Sequence, residues 1–178
     1  PAYGVHLNGS VTAADGTGQM WIARRALGKM TYPGQLDNLV AGGQPVGLGL
    51  FENMVKECGE EADIPPTLAS NMRAAGQITY AMEVKDGLKQ DTLYLYDLEL
   101  PADFQPNNTD GEVDSFLLMP LAEVAGIVRE TFNFKFNCNL VVIDYLLRHG
   151  FLTPDGEPEY GALCTGLHAK FPIAGSES

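Results

Sequence analysis

Gly42-Gly43-Gln44-Pro45-Val46-Gly47-Leu48-Gly49-Leu50-Phe51-Glu52-Asn53-Met54-Val55-Lys56-Glu57-Cys58-Gly59-Glu60-Glu61-Ala62-Asp63-Ile64 is the stretch on which the fold turns. A flexible glycine loop runs straight into an acidic segment in which Leu50, Met54, Val55, Cys58 and Ala62 recur at helical spacing. The spacing predicts a helix over 50–62, ended by Pro65-Pro66. On that helix Glu57 shares a face with Glu60 and Glu61, so three carboxylates gather within one turn. Lys56 is the one immediate cationic neighbour in sequence, and a hard divalent cation, Mg²⁺ or Mn²⁺, would relieve the repulsion through oxygen ligation. The same three glutamates on their own would serve equally as a solvated helix face.

Outward from this core, alternating Val5, Leu7 and Val11, the turn at 14–18 and Met20-Trp21-Ile22-Ala23 predict an opening β-hairpin. Leu36 to Ala41 reads as one short strand that stops at Gly42-Gly43. Segments 77–84 and 92–100, joined by a turn at Asp86-Gly87, form a second hairpin. A polar loop precedes an apolar strand at 112–119, a helix from Pro120 to about Arg129, and a second helix over 137–149 closed by Gly150. The Pro-, Gly- and Ser-rich tail after Thr153 reads as an irregular surface segment. This alternation predicts an α/β class, a mixed β-sheet flanked by α-helices.

The bulk numbers narrow the function. At 178 residues the chain suits one domain with a sizeable core. A net charge of −12, from 23 acidic and 11 basic side chains, opposes a nucleic-acid polymer or an anionic membrane as partner. It does not oppose a small phosphorylated ligand, because metal held by carboxylates reverses the local sign. Cys58, Cys138 and Cys164 are widely spaced with no CxxC pair, which predicts a reducing, cytoplasmic compartment rather than a disulfide framework. No apolar run of membrane-spanning length is seen, Pro1 to Gly9 lack the charged start and apolar centre expected of a signal peptide, and the start at Pro1 reads as a piece of a longer protein.

The 42–64 stretch resembles the Nudix box: Gly, five residues, Glu, seven residues, then Arg-Glu-apolar-x-Glu-Glu-x-Gly-apolar. Gly42, Glu57, Cys58, Glu60, Glu61 and Ile64 match it; Leu48, Lys56 and Asp63 replace the first Glu, the Arg and the second Gly. Glu52, one turn before Lys56, is the nearest substitute for the missing Glu, and Lys56 keeps the charge of the Arg without its fork. Tyr3 to Gly9, Arg24-Arg25, Tyr32 to Gly43, Asp110 to Phe116 and Asn137 to Gly150 extend the likeness. They are similar to the Nudix branch that includes the thiamine pyrophosphokinase-associated domain of fungi and its plant and bacterial relatives. Members of that branch commonly carry a further N-terminal portion.

The resemblance implies a Nudix fold over 1–160, with 161–178 as a C-terminal tail, and metal-dependent hydrolysis of a small diphosphate, foremost oxidised or damaged thiamine diphosphate. It implies Glu57, Glu60 and Glu61 as metal ligands, with Glu57, Glu60 or Glu112 as the catalytic acid/base. Arg24, Arg25 and Lys29 are candidate diphosphate ligands, beside the loop glycines Gly42 and Gly43, although ordinary surface charge explains the three cations as well. Trp21, Tyr32, Tyr80 and Phe116 could stack on a heterocycle, but packing is the simpler reading; His6, His149, His168 and Cys138 receive no catalytic role. Two rivals keep the fold: a non-catalytic ligand-binding module, which Leu48 favours, and an isoprenoid diphosphate isomerase. Oligomeric state stays open, a homodimer included.

Overall fold

A computed structural model describes residues 2–85 and 87–169. Strand β1 (Ala2–Thr12) turns through 13–17 into β2 (Gly18–Arg25), with Gly9 opposite Trp21, as the hairpin pattern predicts. The expected single strand at 36–41 is two: β3 (Leu36–Asp37) pairs with β2, and β4 (Val40–Gly43) pairs with β1. The chain changes partner between them, at Asn38-Leu39, and both residues are buried there.

Helix α1 (Leu50–Ala62) has the predicted bounds. Its end comes from Asp63, which enters the left-handed region at φ 55 and lets Ile64 N–H donate to the Cys58 carbonyl. The two prolines do something else: Pro66 opens a one-turn helix, α2 (Pro66–Ala69), where its missing N–H costs nothing. Strands β5 (Arg73–Val84) and β6 (Gly87–Glu99) form the second hairpin; Asp86 of its turn signal lies outside the described residues. Strand β7 (Val113–Pro120), helix α3 (Leu121–Glu130) and helix α4 (Phe136–Arg148) follow. The expected irregular tail contains a further helix, α5 (Tyr160–Leu167), because Leu167 finds an apolar seat beside Ile78, Leu93 and Val141. The end of the tail, 170–178, lies outside the described residues.

The sheet runs β3-β2-β1-β6-β5, with β4 attached to β1 and β7 to β2. It is mixed: β1 and β6 are parallel, whereas the other pairings are antiparallel. On one face Val5, Leu7 and Trp21 pack against Met54, Cys58 and Ala62 of α1. On the other, Met20 and Ile22 pack against Val124 of α3 and Val142 and Leu146 of α4. The result is the predicted sheet between helices. Because strand side chains alternate, His6 and Asn8 point to the face opposite Val5 and Leu7, yet both are buried.

Candidate functional site

The acidic site begins at the junction of β4 and α1. Ala41 N–H donates to Glu61 Oε2 at 2.8 Å, and a Cβ on Gly42 would run into the Glu57 carboxylate. Glycine at position 42 is therefore a packing requirement of Glu57. Asn53 and Gln44 hold the loop between them: Asn53 Nδ2 donates to the Gly43 carbonyl at 3.0 Å, and Gln44 Nε2 to the Leu48 carbonyl at 2.6 Å.

Burial pushes the Glu61 carboxyl up to about 8, against the pull of the Ala41 amide; Asp37, Glu57 and Asp110 add to the rise. Glu57 is raised too, first by burial, with Lys56 opposing and Glu60 and Glu112 reinforcing it. Glu60 is exposed and pairs with Lys56 across one turn. The three glutamates thus share a face, as expected, but point differently: Glu61 at β4, Glu57 under Gly42, Glu60 out toward Lys56. Glu52 is exposed in the first turn of α1, beside Gly49.

The loop before β7 brings a second set of acids to α1. Asn107 N–H donates to the Ala62 carbonyl at 3.1 Å and Thr109 Oγ1 to that of Glu60, so the loop satisfies the helix's last carbonyls. Glu112 then pairs with Lys29. Glu61, Glu112, Lys29, Arg25, Asp37 and Asn38 enclose a cavity of about 10 Å³, the size of one water. Asp110, singled out from the sequence only as a neighbour of Glu112, is close enough to raise Glu61.

Arg25, expected to hold a diphosphate, has its donors engaged. Nη1 pairs with Asp37 at 2.8 Å, Nη2 donates to the Thr31 carbonyl at 2.8 Å, and Nε reaches the Thr31 and Tyr32 carbonyls. It fixes the 28–35 loop. Arg24 donates to the Gly34 carbonyl at 3.1 Å, and Lys29 is the member of the trio paired with Glu112.

On the far side of β4 lies a cavity of about 250 Å³, lined by Tyr3, Gly4, His6, Tyr32, Ala41, Gly42, Gly43, Lys89, Asp91, Lys135 and Asn137, among others. Tyr32 adopts φ 52, unusual for a bulky residue, and Arg25 grips its carbonyl. The sequence signal for this wall was slight. Tyr32 and Asn137 stood out only as an aromatic and a helix start within the segments of likeness, and Lys135 gave no signal, because its place depends on α4 packing against the sheet. Trp21 packs on the α1 side, Phe116 packs partly buried against the same cluster, and the Tyr80 hydroxyl donates to Asp91 at 2.5 Å.

Among the described residues, His6, Asp37 and Cys138 bring potential ligand atoms within 4.8 Å of one another. They do not suit a cation. Asp37 already faces Arg25 at 2.8 Å and Lys135 at 3.4 Å, which with the Cys138 thiol hold its carboxyl low despite burial. Burial keeps the Cys138 thiol protonated, and it donates to Asp37 at 2.7 Å. The glutamate set fits better: oxygen donors, two of them raised by burial, with Lys56 as their near cation.

No protein-family model matches the chain. Over 153 residues it is 52% identical to Nudix hydrolase 20, chloroplastic, of Arabidopsis thaliana, covering 86% of this chain and 41% of that protein. It is 37% identical to the uncharacterized protein YJR142W of Saccharomyces cerevisiae, covering 96% of this chain and 54% of that one. The chain therefore spans about half or less of these relatives' length. The solved NUDIX domain of Shewanella oneidensis NrtR, complexed with ADP ribose, superposes with a TM-score of 0.64 at 11% identity, over 84% of this chain and 88% of that one.

Proposed function

The chain belongs to the Nudix family, and we propose that it hydrolyses a diphosphate linkage in a small organic diphosphate with the help of Mg²⁺ or Mn²⁺. The observation that carries this reading is strand β4. Its Ala41 and Gly42 face the 250 Å³ cavity and also touch Glu61 and Glu57. A substrate in the cavity would lay its phosphates across the glycines, against the acids.

Glu57, Glu60 and Glu61 would hold the metal, with Asp110 and Glu112 the further carboxylates close enough to raise Glu61 and Glu57 respectively, and Glu52 the substitute along the helix for the Glu that Leu48 replaces. When bound, the ion offsets charge developing on phosphate oxygens and acidifies the attacking water. Glu112, beside the water-sized cavity it shares with Glu61, is the favoured base, and Lys29 is released to phosphate as Glu112 takes a proton. Gly43, exposed at the cavity mouth, offers backbone without a side chain in the way. Lys135 and Lys89 add positive charge along the wall.

Within this class we favour thiamine diphosphate and its oxidised or damaged forms. The support is the likeness of the motif segments to that Nudix branch and Tyr32 in the cavity wall, an aromatic suited to a flat heterocycle. For the compartment, three unpaired cysteines support a reducing one; the cytoplasm expected from sequence is such a compartment, while the Arabidopsis relative is named as chloroplastic. No described helix is long and apolar enough to cross a membrane.

The test is phosphate release from thiamine diphosphate, its oxo and oxy forms, nucleotide sugars and nucleoside diphosphates at saturating Mg²⁺. Glu61→Gln should lower kcat at least about 100-fold, because a ligand charge beside the reacting phosphate is lost. Equal rates in variant and parent would overturn the hydrolase reading. Ligand binding with no hydrolysis of any diphosphate would favour a binding module, consistent with Leu48.

A further inference from the structure

His6, 3% exposed, is among the residues that line the 250 Å³ cavity. Its Nδ1 is 2.9 Å from Asn38 Oδ1. Asn38 Nδ2 donates to Asn8 Oδ1 at 3.3 Å, and Asn8 Nδ2 donates to Asp97 Oδ1 at 3.0 Å. Asp97 also receives Arg148 at 2.6 Å and His149 at 2.9 Å. These donors hold its carboxyl below the ordinary range in spite of burial.

The direction of this chain is fixed from its far end. An ionised Asp97 can only accept, so Asn8 must offer it the amide NH₂ and turn its oxygen to Asn38. Asn38 must then offer NH₂ to Asn8 and its oxygen to His6. The proton of a neutral His6 is thereby placed on Nδ1, leaving Nε2 with a bare lone pair. Burial, then Lys135, hold His6 near a pKa of about 4, against the opposite pull of Asp37, Asn38 and Asp91. The ring is neutral at physiological pH.

Nε2 has no hydrogen-bond partner among the described residues, yet it is not among the polar atoms sealed from solvent. Gly4, also in the cavity wall, lies beside it: a Cβ there would stand 3.3 Å from the Gly42 carbonyl oxygen and 3.6 Å from Nε2. A buried acceptor of fixed polarity facing a cavity selects for a donor.

We propose that His6 is a specificity-determining residue whose Nε2 accepts a hydrogen bond from an N–H or O–H donor on the organic group of the substrate, with Asn38 and Asn8 as positioning residues that set its tautomer. The proposal rests on the cavity being the substrate site of a diphosphate hydrolase. It adds a criterion that the glutamates cannot supply: a diphosphate whose heterocycle lacks a donor leaves Nε2 unpaired and is disfavoured.

The experiment compares thiamine diphosphate, which carries an exocyclic amine, with its desamino analogue, which has no donor on that ring. The parent should favour the amine-bearing compound about 10- to 100-fold in kcat/KM. The ratio should fall toward one in His6→Phe and in Asn38→Leu, and be partly restored in His6→Gln, whose amide can reach the Nε2 position. A parent ratio near one, or an undiminished ratio in His6→Phe, would overturn the proposal. ¹⁵N NMR of the imidazole supplies a readout independent of turnover. Nε2 should resonate as an unprotonated nitrogen and move on addition of thiamine diphosphate but not of the desamino compound. An Nε2 that is protonated or indifferent to both compounds defeats the proposal whatever the hydrolysis assay gives. A selective shift without hydrolysis upholds it and defeats only the hydrolase reading.

Discussion

Asp63 occupies a position where the Nudix box has glycine, and the backbone shows why: φ 55 at the end of α1 is a left-handed conformation that a Cβ resists. Its side chain is exposed, and among the described residues no hydrogen bond or ion pair of that side chain offsets the strain. Asp63→Gly is therefore expected to stabilise the fold by about 0.5 to 1 kcal/mol, read as a higher denaturation midpoint at unchanged m-value. A destabilised variant would mean that unfolded-state glycine entropy outweighs the strain. Gly42 shows the opposite logic, since there the glycine is kept by the Glu57 carboxylate packed on it rather than by φ. The resemblance to the Nudix box identified both positions. It did not identify Tyr32 as a strained wall residue, because its conformation is imposed by Arg25, a residue whose own charge pointed toward phosphate.

At the scale of elements, β3 and the start of α4 are joined through one carboxylate. Asp37 receives Arg25 from β2, Lys135 from the turn before α4 and the Cys138 thiol from α4 itself. Arg25 in turn ties the 28–35 loop, so the wall of the cavity depends on this charge. Asp37→Asn leaves two largely buried cations without their counter-charge and should cost about 3 to 5 kcal/mol in chemical denaturation. A cost under 1 kcal/mol would mean that water reaches both cations. Helix α1 and both hairpins were legible in the sequence because their apolar residues repeat at the period of one element. The polar seam of His6, Asn8, Asn38 and Asp97 was not: these residues come from β1, the β3–β4 junction and β6, and their pairing exists only once β1 lies parallel to β6. The same holds for α5, whose short apolar pattern gains meaning only from the seat that Leu167 finds.

For the whole molecule, His6 and Glu61 set opposed dependences of stability on pH. Folded His6 stays neutral down to about 4 while its unfolded value is 6.5, so the unfolded chain binds more protons between these limits and stability rises with pH across them. Folded Glu61 keeps its proton up to about 8 while the unfolded group loses it near 4.5, so there stability falls as pH rises. Glu57, also raised, acts in the same direction as Glu61. Between about 4.5 and 6.5 the two slopes largely cancel, and from 6.5 to 8 the glutamate slope stands alone. Thermal unfolding of the metal-free protein should therefore show a Tm that declines from pH 6.5 to 8, by an amount on the order of 2 kcal/mol in stability. Glu61→Gln should flatten that decline. Saturating Mg²⁺ should reverse it, because the ion binds the deprotonated carboxylate and adds stability as that form becomes available, about 2.7 kcal/mol at one hundred times Kd. A metal-free Tm that climbs from pH 6.5 to 8 would place Glu61 in contact with water, and an Mg²⁺ effect of equal size in Glu61→Gln would remove it from the metal set.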